Sequence, residues 1–237
     1  MSHSITLDAR QQELLQQAAA WRLLGLLFEC PSPAWRRHIR ALAREVHERG
    51  LRMAAYAALK QAGEGLYHST FGPGGPALCR EAACRPAVEL GSLLADLEGF
   101  YQAFGYQPRN SEPPDHVAIE TGFVSFLCLK QAYAIATGNQ EAAELSCQAA
   151  GRFVQDHLQL LAGPLAAALH HAPVSYLRLA GEELCRRTGA RPEALAAPSS
   201  FPILDSTFDC APLLCLEDGR PACHAGAEPL ASADQNR

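Results

Sequence analysis

The sequence predicts an all-α protein, a single helical bundle of about 180 residues followed by an irregular C-terminal arm. The composition is 48% hydrophobic and 19% charged and is rich in alanine and leucine, which is typical of a globular helical chain. Apolar residues recur at helical spacing through most of residues 8–189, with no alternating strand pattern. Six prolines then exclude long helices from residues 190–237. We therefore expect a domain at 1–189 and a separate arm at 190–237.

Proline and glycine divide the bundle into its elements. Two prolines after Cys30 end the first helix, and Gly50, Gly138 and Gly189 end later ones. Residues 71–76 contain three glycines and two prolines and predict an ordered loop. The predicted helices cover residues 8–29, 32–48, 51–67, 86–105, 114–137, 140–162, 164–171 and 173–188.

Charge and hydropathy limit the classes of function. The 237-residue chain carries a net charge of −5, which disfavours a dedicated nucleic-acid binder. The N-terminal residues have no basic stretch followed by an apolar core, so no secretory signal is predicted. No apolar run approaches the length of a membrane span. We expect a cytoplasmic protein without stable membrane association, acting as a monomer or homodimer.

Nine cysteines are an unusual number for a chain of this kind. An odd count in a reducing compartment argues against a disulfide framework. Four of them lie on or beside predicted helices and are expected in the core: Cys30, Cys128, Cys147 and Cys185. Four soft ligands in the arm support an alternative interpretation, a metal-binding protein or sensor: Cys210, Cys215, Cys223 and His224. Their spacing lacks a C-x-x-C pair, so incidental thiols are the simpler interpretation.

A polar cluster, Glu-Pro-Pro-Asp-His at 112–116 followed by Glu120, is the main candidate site. On a helix that begins at Pro114, His116 and Glu120 share a face, and Asp115 meets the free amide groups of the first turn. The cluster either binds a cationic or polar partner or is a helix cap with one surface ion pair. No nucleophile, zinc-protease or dinucleotide motif accompanies it, and the loop at 72–76 lacks the ending of a P-loop. Nothing in the sequence therefore demands an enzyme.

Four segments in order resemble the TorD/DmsD/NarJ family of cytoplasmic chaperones for molybdenum enzymes, the redox enzyme maturation proteins. They are the helix segment 21–28, the Tyr-His-Ser-Thr-Phe-Gly-Pro-Gly-Gly-Pro stretch at 67–76, residues 97–105, and the Glu-Pro-Pro-Asp-His segment with its continuation to Phe123. The likeness covers about residues 12–188, so the arm and its cysteines have no counterpart.

The resemblance implies a non-enzymatic chaperone with an all-helical fold. Such proteins bind the N-terminal leader, often a twin-arginine signal, of the catalytic subunit of a molybdopterin oxidoreductase of the DMSO reductase type. They hold the apoenzyme until the cofactor is inserted and so delay its export. The resemblance implies no resident cofactor, and only weak guanine-nucleotide binding is reported for some relatives.

Eleven residues match the family segments or lie beside them and are the predicted leader-binding set: Tyr67, Phe71, Gly72, Glu81, Tyr101, Glu112, Pro114, Asp115, His116, Glu120 and Phe123. An apolar groove between helices can bury the apolar part of a leader. Carboxylates at its rim can pair with the leader's arginines, and the candidates are Glu81, Glu112, Asp115 and Glu120. The chain departs from the family at Gly122, where many relatives carry a second acidic residue.

Overall fold

The computed structural model describes residues 8–108 and 112–192, which form an all-α fold. A π-helical turn, Val154–Leu158, joins two of the helices into one continuous stretch. The α-helices are α1 (Ala9–Leu26), α2 (Pro33–Glu45), α3 (Arg49–Gln61), α4 (Glu64–Phe71), α5 (Glu81–Cys84), α6 (Leu90–Phe104), α7 (Val117–Ala136), α8 (Gln140–Phe153), α9 (Gln159–Leu169) and α10 (Ser175–Thr188).

Helices α1 and α7 form the centre of the bundle. Most of α7 is buried, as expected for a helix that is covered on nearly all sides. The Ser125 hydroxyl donates a 2.7 Å hydrogen bond to the Ala18 carbonyl across the contact. Gly25 permits the close approach, because a Cβ there would lie 2.5 Å from Oγ1 of Thr121. The small residue of α1 therefore sets the distance between the two central helices.

Helices α2 and α3 form an antiparallel pair at one side of the bundle. The guanidinium of Arg36, near the start of α2, donates to the carbonyls of Leu59 (2.7 Å) and Ala62 (2.8 Å) at the end of α3. These bonds satisfy carbonyls that a helix end leaves free. The prediction of a single helix over residues 51–67 is wrong, because α3 ends at Gln61 and a new helix, α4, begins at Glu64.

The helix predicted at 140–162 continues further than expected. Its boundary before Pro164 is wrong, because α9 contains that proline and runs to Leu169. Proline removes the amide that would bond the Leu160 carbonyl. Leu160 is 44% exposed, so water can reach that side of the helix. The π-helical turn was not predicted, and it places His157 toward the centre of the protein, where it is completely buried.

The helix predicted from 114 begins three residues later, at Val117. Pro114 and Asp115 precede it, and His116 is its N-cap. The residues of the polar cluster therefore extend along the chain and do not share one helical face. The helix predicted at 86–105 is confirmed as α6, which begins four residues later, at Leu90. The short helix α5, which carries Glu81, was not predicted.

The described cysteines are free thiols and only partly follow the prediction. Cys128 and Cys185 are buried in the core, but Cys147 is exposed and Cys30 follows α1 half-buried. The expectation of a core position is wrong for these last two. Across residues 8–108 and 112–192, none of the helices has the length and apolar character needed to cross a membrane.

Candidate functional site

A short antiparallel pairing brings the two predicted site segments together. The Glu81 amide donates to the Asp115 carbonyl (2.9 Å), and the Val117 amide donates to the Cys79 carbonyl (2.8 Å). Arg80 and His116 are thereby paired across an isolated β-bridge. The glycine-rich loop after α4 leads into this pairing, so residues 36 positions apart in sequence become neighbours.

A groove of about 220 Å³ opens beside the pairing. Four of the predicted residues line it: Tyr67, Phe71, Glu112 and His116. The sequence did not predict the other lining residues, which are Leu78, Cys79, Arg80, Ala83 and Pro113. Gly72 lies next to the groove as the C-cap of α4. The residues that line the groove are mostly apolar, with one carboxylate, Glu112, and one guanidinium, Arg80.

Glu112 is the carboxylate of the groove and is partly open to solvent. The Tyr67 hydroxyl donates to its Oε1 at 3.2 Å. Nε2 of His116 lies 4.0 Å from its Oε2. Nδ1 of His116 accepts the Ala118 amide as the cap of α7 (3.1 Å), so the neutral ring carries its proton on Nε2, facing Glu112. Burial lowers the pKa of His116, although Glu112 and Asp115 act in the opposite direction.

Arg80 is the guanidinium of the groove, and the buried carboxylate of Asp115 holds it in place. Its Nη2 lies 2.8 Å and its Nε 2.9 Å from Oδ1 of Asp115. Asp115 is completely buried and also accepts the Ala82 amide at 3.3 Å. The Arg80 side chain is 43% exposed, so a buried carboxylate orients a cation that remains accessible.

Two further carboxylates lie entirely beneath the surface. Glu81 accepts from Arg85 through one oxygen (2.6 Å) and is 3.0 Å from Nδ1 of His157 through the other. Glu120 is equally buried, but neither of its oxygens has a hydrogen-bond partner among the described residues. Burial raises the pKa of Glu120 well above its usual value, and the negative charges of Glu81 and Asp115 raise it further.

The interpretation of these groups as rim carboxylates is wrong for Glu81, Asp115 and Glu120. Each is held or enclosed inside the protein, and only Glu112 of the four candidates is open to solvent. Asp115 does not meet the first-turn amides of α7, since it bonds Arg80 and the Ala82 amide across the bridge. These partners of Asp115 lie 33 and 35 residues away, where sequence spacing carries no signal.

The remaining predicted residues belong to an aromatic cluster behind the groove. Tyr101 and Phe123 are buried with ring centroids 4.9 Å apart. The Tyr101 hydroxyl donates to the Pro114 carbonyl at 2.8 Å and so anchors the start of the polar segment. These three residues support the groove without lining it.

The departure at Gly122 has a local physical cause. A Cβ at this buried position would lie 2.5 Å from the Tyr106 hydroxyl, which donates to the Ile119 carbonyl at 3.3 Å. The tyrosine therefore occupies the space that a side chain at 122 would need. This chain therefore combines a glycine at 122 with a tyrosine at 106.

Replacing Gly122 with alanine is expected to lower the free energy of unfolding by about 1 to 3 kcal/mol, the usual range for overpacking a buried contact. Adding Tyr106→Phe removes the clashing hydroxyl and should recover most of that loss. Urea unfolding of the two single variants and the double variant measures the coupling. If the two losses simply add, the contact between these residues is not the reason for the glycine.

Comparison with known families matches residues 37–167 to the family described as nitrate reductase delta subunit. This match and the all-helical fold define a chaperone of redox enzyme maturation, which confirms the resemblance read from the sequence. The chain belongs to the nitrate reductase delta subunit family, because the match covers more than half of it. Comparisons with curated proteins and with solved structures gave no match.

The alternative metal site lies outside the described residues, since Cys210, Cys215, Cys223 and His224 all belong to the arm. Within residues 8–108 and 112–192, no group of three or more candidate ligands is suitably placed to hold a metal ion. The division of the chain at 189/190 stays a prediction, as does weak nucleotide binding.

Proposed function

We propose that the groove binds part of the N-terminal leader of a molybdenum-enzyme catalytic subunit. The family to which the chain belongs implies assembly of a molybdoenzyme, and a catalytic subunit is the kind of partner it binds. The observation that carries the proposal is the meeting of Tyr67, Phe71, Glu112 and His116 around one groove. In this proposal the protein acts in the cytoplasm, holds the apoenzyme until its molybdopterin cofactor is inserted, and delays export.

The groove's dimensions favour a short extended segment of the leader. Its volume of about 220 Å³ is below the roughly 300 to 1,000 Å³ of common small-molecule sites. One or two side chains fit such a space, whereas a whole helix does not. The apolar surface of Phe71 and Leu78 suits an aliphatic or aromatic side chain of the leader.

The charges at the groove favour one arginine of a twin-arginine leader rather than both. Glu112 supplies an accessible carboxylate for one guanidinium. The cation of Arg80 lines the same groove and repels a second guanidinium. We propose that Arg80 instead binds a backbone carbonyl or an acidic group of the leader. This differs from the sequence-based expectation of several rim carboxylates.

Glu112→Gln is expected to weaken leader binding by about tenfold or more, the value of a hydrogen bond to a charged group. The glutamine keeps the acceptor for Tyr67, so the local fold should persist. The measurement is fluorescence anisotropy with a labelled peptide that has two arginines before an apolar stretch. Leu78→Ser tests the apolar wall in the same titration, since Leu78 is 48% exposed.

Two controls give this experiment its specificity. Glu98→Gln removes an exposed carboxylate of α6 and should leave binding unchanged. A peptide with its arginines replaced by glutamine should bind weakly and should lose its sensitivity to Glu112→Gln. Wild-type affinity in both groove variants would refute the proposal. Asp115 and His116 are poor choices for this test, because they are buried and their loss would disturb the fold.

A further inference from the structure

Helices α2 and α3 carry a concentrated set of exposed cations. Between residues 33 and 61 there are seven basic residues and only two acidic ones, although the whole chain has a net charge of −5. One basic residue, Arg36, is bound to backbone carbonyls. The other six are exposed and define what we call the basic surface: Arg37, Arg40, Arg44, Arg49, Arg52 and Lys60.

None of these six side chains has an ion-pair partner among the described residues. Four exposed arginines elsewhere are paired: Arg10 with Glu13, Arg152 with Asp156, Arg178 with Glu182, and Arg186 with Glu183. One of the two acidic residues between 33 and 61, Glu48, turns away and pairs with Arg187 of α10. The other, Glu45, is exposed on α2 but forms no ion pair with the six cations. No ion pair in the described part of the chain therefore neutralises the basic surface.

Helical geometry places these cations on outward faces. On α2, Arg37, Arg40 and Arg44 are spaced i, i+3, i+7, and the opposite face buries Trp35 and Ile39. On α3, Arg49 and Lys60 are eleven residues apart, about three turns, and so share a face. Because the two helices are antiparallel neighbours, their outward faces lie side by side.

Two exposed apolar side chains lie among the cations on the outward face of α3. Met53 is 50% exposed and Tyr56 is 46% exposed, at i+4 and i+7 from Arg49. A flexible thioether and an amphipathic ring among cations are typical of surfaces that meet a lipid interface. An exposed helix face with this composition needs no cavity in order to bind.

We propose that the basic surface binds reversibly to the surface of an anionic phospholipid bilayer. Clusters of four to eight basic residues on a helical surface are attracted to anionic lipid headgroups. A site for a particular carboxylate or phosphate would orient its guanidinium with a second group, as Asp115 orients Arg80. The cations of the basic surface have no such support among the described residues, which suits a diffuse layer of negative charge. Met53 and Tyr56 favour lipid over nucleic acid, since they can enter the interface.

Flotation of the full chain with vesicles tests this proposal. The probes are vesicles of phosphatidylcholine alone and of phosphatidylcholine mixed with phosphatidylglycerol. We expect binding to the mixed vesicles only, and we expect added salt to weaken it. Each basic residue near an anionic surface contributes about fivefold, so Arg40→Gln, Arg44→Gln and Arg52→Gln together should weaken binding roughly a hundredfold.

The matched control replaces three paired arginines, Arg152, Arg178 and Arg186, with glutamine. It changes the net charge equally and should keep most of the binding, because these residues lie outside the basic surface. Met53→Ser with Tyr56→Ser should weaken binding to vesicles but not to duplex DNA or polyglutamate.

Several results would overturn the proposal. They are equal loss in both triple variants, no binding to the mixed vesicles, and tighter binding to duplex DNA or polyglutamate than to lipid. Binding of the leader peptide serves as an independent readout of folding and of the groove. It should be the same in both triple variants, so failure of the lipid proposal is distinguishable from failure of the proposed leader site.

Discussion

Replacing Glu120 with glutamine is expected to raise the free energy of unfolding, by an amount that grows with pH. The Glu120 carboxyl is fully buried, and its oxygens have no hydrogen-bond partner among the described residues. Burial first, and then the charges of Glu81 and Asp115, raise its pKa well above 4.5. The folded protein therefore keeps a proton that the unfolded chain releases as the pH rises past that value.

The sign of the effect follows from the proton balance. Where the folded state binds more protons than the unfolded state, rising pH lowers the free energy of unfolding, by about 1.4 kcal/mol per pH unit for one group. This loss continues until the pH reaches the folded-state pKa of Glu120. Glutamine is neutral at every pH and lacks this slope. The two proteins should be close in stability under acid conditions and should diverge toward neutral pH.

Urea unfolding followed by circular dichroism, at several pH values from mildly acidic to mildly alkaline, measures this divergence. Burial lowers the pKa of His116, so His116 favours unfolding as the pH falls below the unfolded value of 6.5. That contribution is present in both proteins and cancels in their difference. Glu98→Gln, on the exposed side of α6, controls for the loss of one negative charge. A difference independent of pH would show that Glu120 is ionised in the folded protein.

The helices that the sequence predicts best have a single buried face or firm boundaries. The spacing of Leu93, Leu97 and Tyr101 predicts α6, and these three side chains are buried. Gly189 ends α10 with a positive φ angle, as predicted. Sequence fails where a distant contact decides the boundary. The end of α3 depends on Arg36, which lies 23 and 26 residues before the carbonyls it binds.

In the candidate site, too, the sequence predicts the local segments but not the distant contacts between them. The loop after Phe71 and the segment after Glu112 could be singled out from residue types and from their resemblance to a family. Their contact could not, because it depends on the backbone pairing of Arg80 with His116. The burial of Asp115 follows from that pairing, so a residue expected at the rim lies under it. Arg80 was missed although it directly precedes Glu81, because its role depends on a carboxylate 35 residues away.

Replacing Glu81 with leucine is expected to lower the free energy of unfolding by roughly 1 to 3 kcal/mol, the usual cost of leaving a buried hydrogen-bonding group without its partner. The leucine would leave His157 buried without its acceptor, with only the Oδ2 atom of Asp96 at 3.5 Å from the other ring nitrogen. Arg85 is partly exposed and can turn toward water, so His157 carries most of the loss. Urea unfolding with Glu98→Leu as the exposed control measures the difference.

A second substitution separates the pair from the rest of the core. His157 packs against the rings of Phe100 and Phe153, with centroids 5.6 and 4.8 Å away, so phenylalanine suits its surroundings. Replacing both members of a buried polar pair by apolar groups is often nearly neutral. Glu81→Leu with His157→Phe should therefore recover much of the stability lost in Glu81→Leu. If the double variant is no more stable than the single one, then Glu81 acts through Arg85 or the backbone and not through His157.

Substitutions of Glu81 and Glu120 are expected to change the free energy of unfolding in opposite directions, although the two side chains are equally buried. Both side chains are completely enclosed. Glu81 has two cationic or proton-donating partners, Arg85 and His157. Removing the carboxylate leaves them without their acceptor and destabilises the fold. Glu120 has none in the described part of the chain, so Glu120→Gln removes the free-energy cost of keeping this carboxyl protonated in the folded state. Hydrogen-bond partners, rather than depth of burial, therefore determine the sign of each effect.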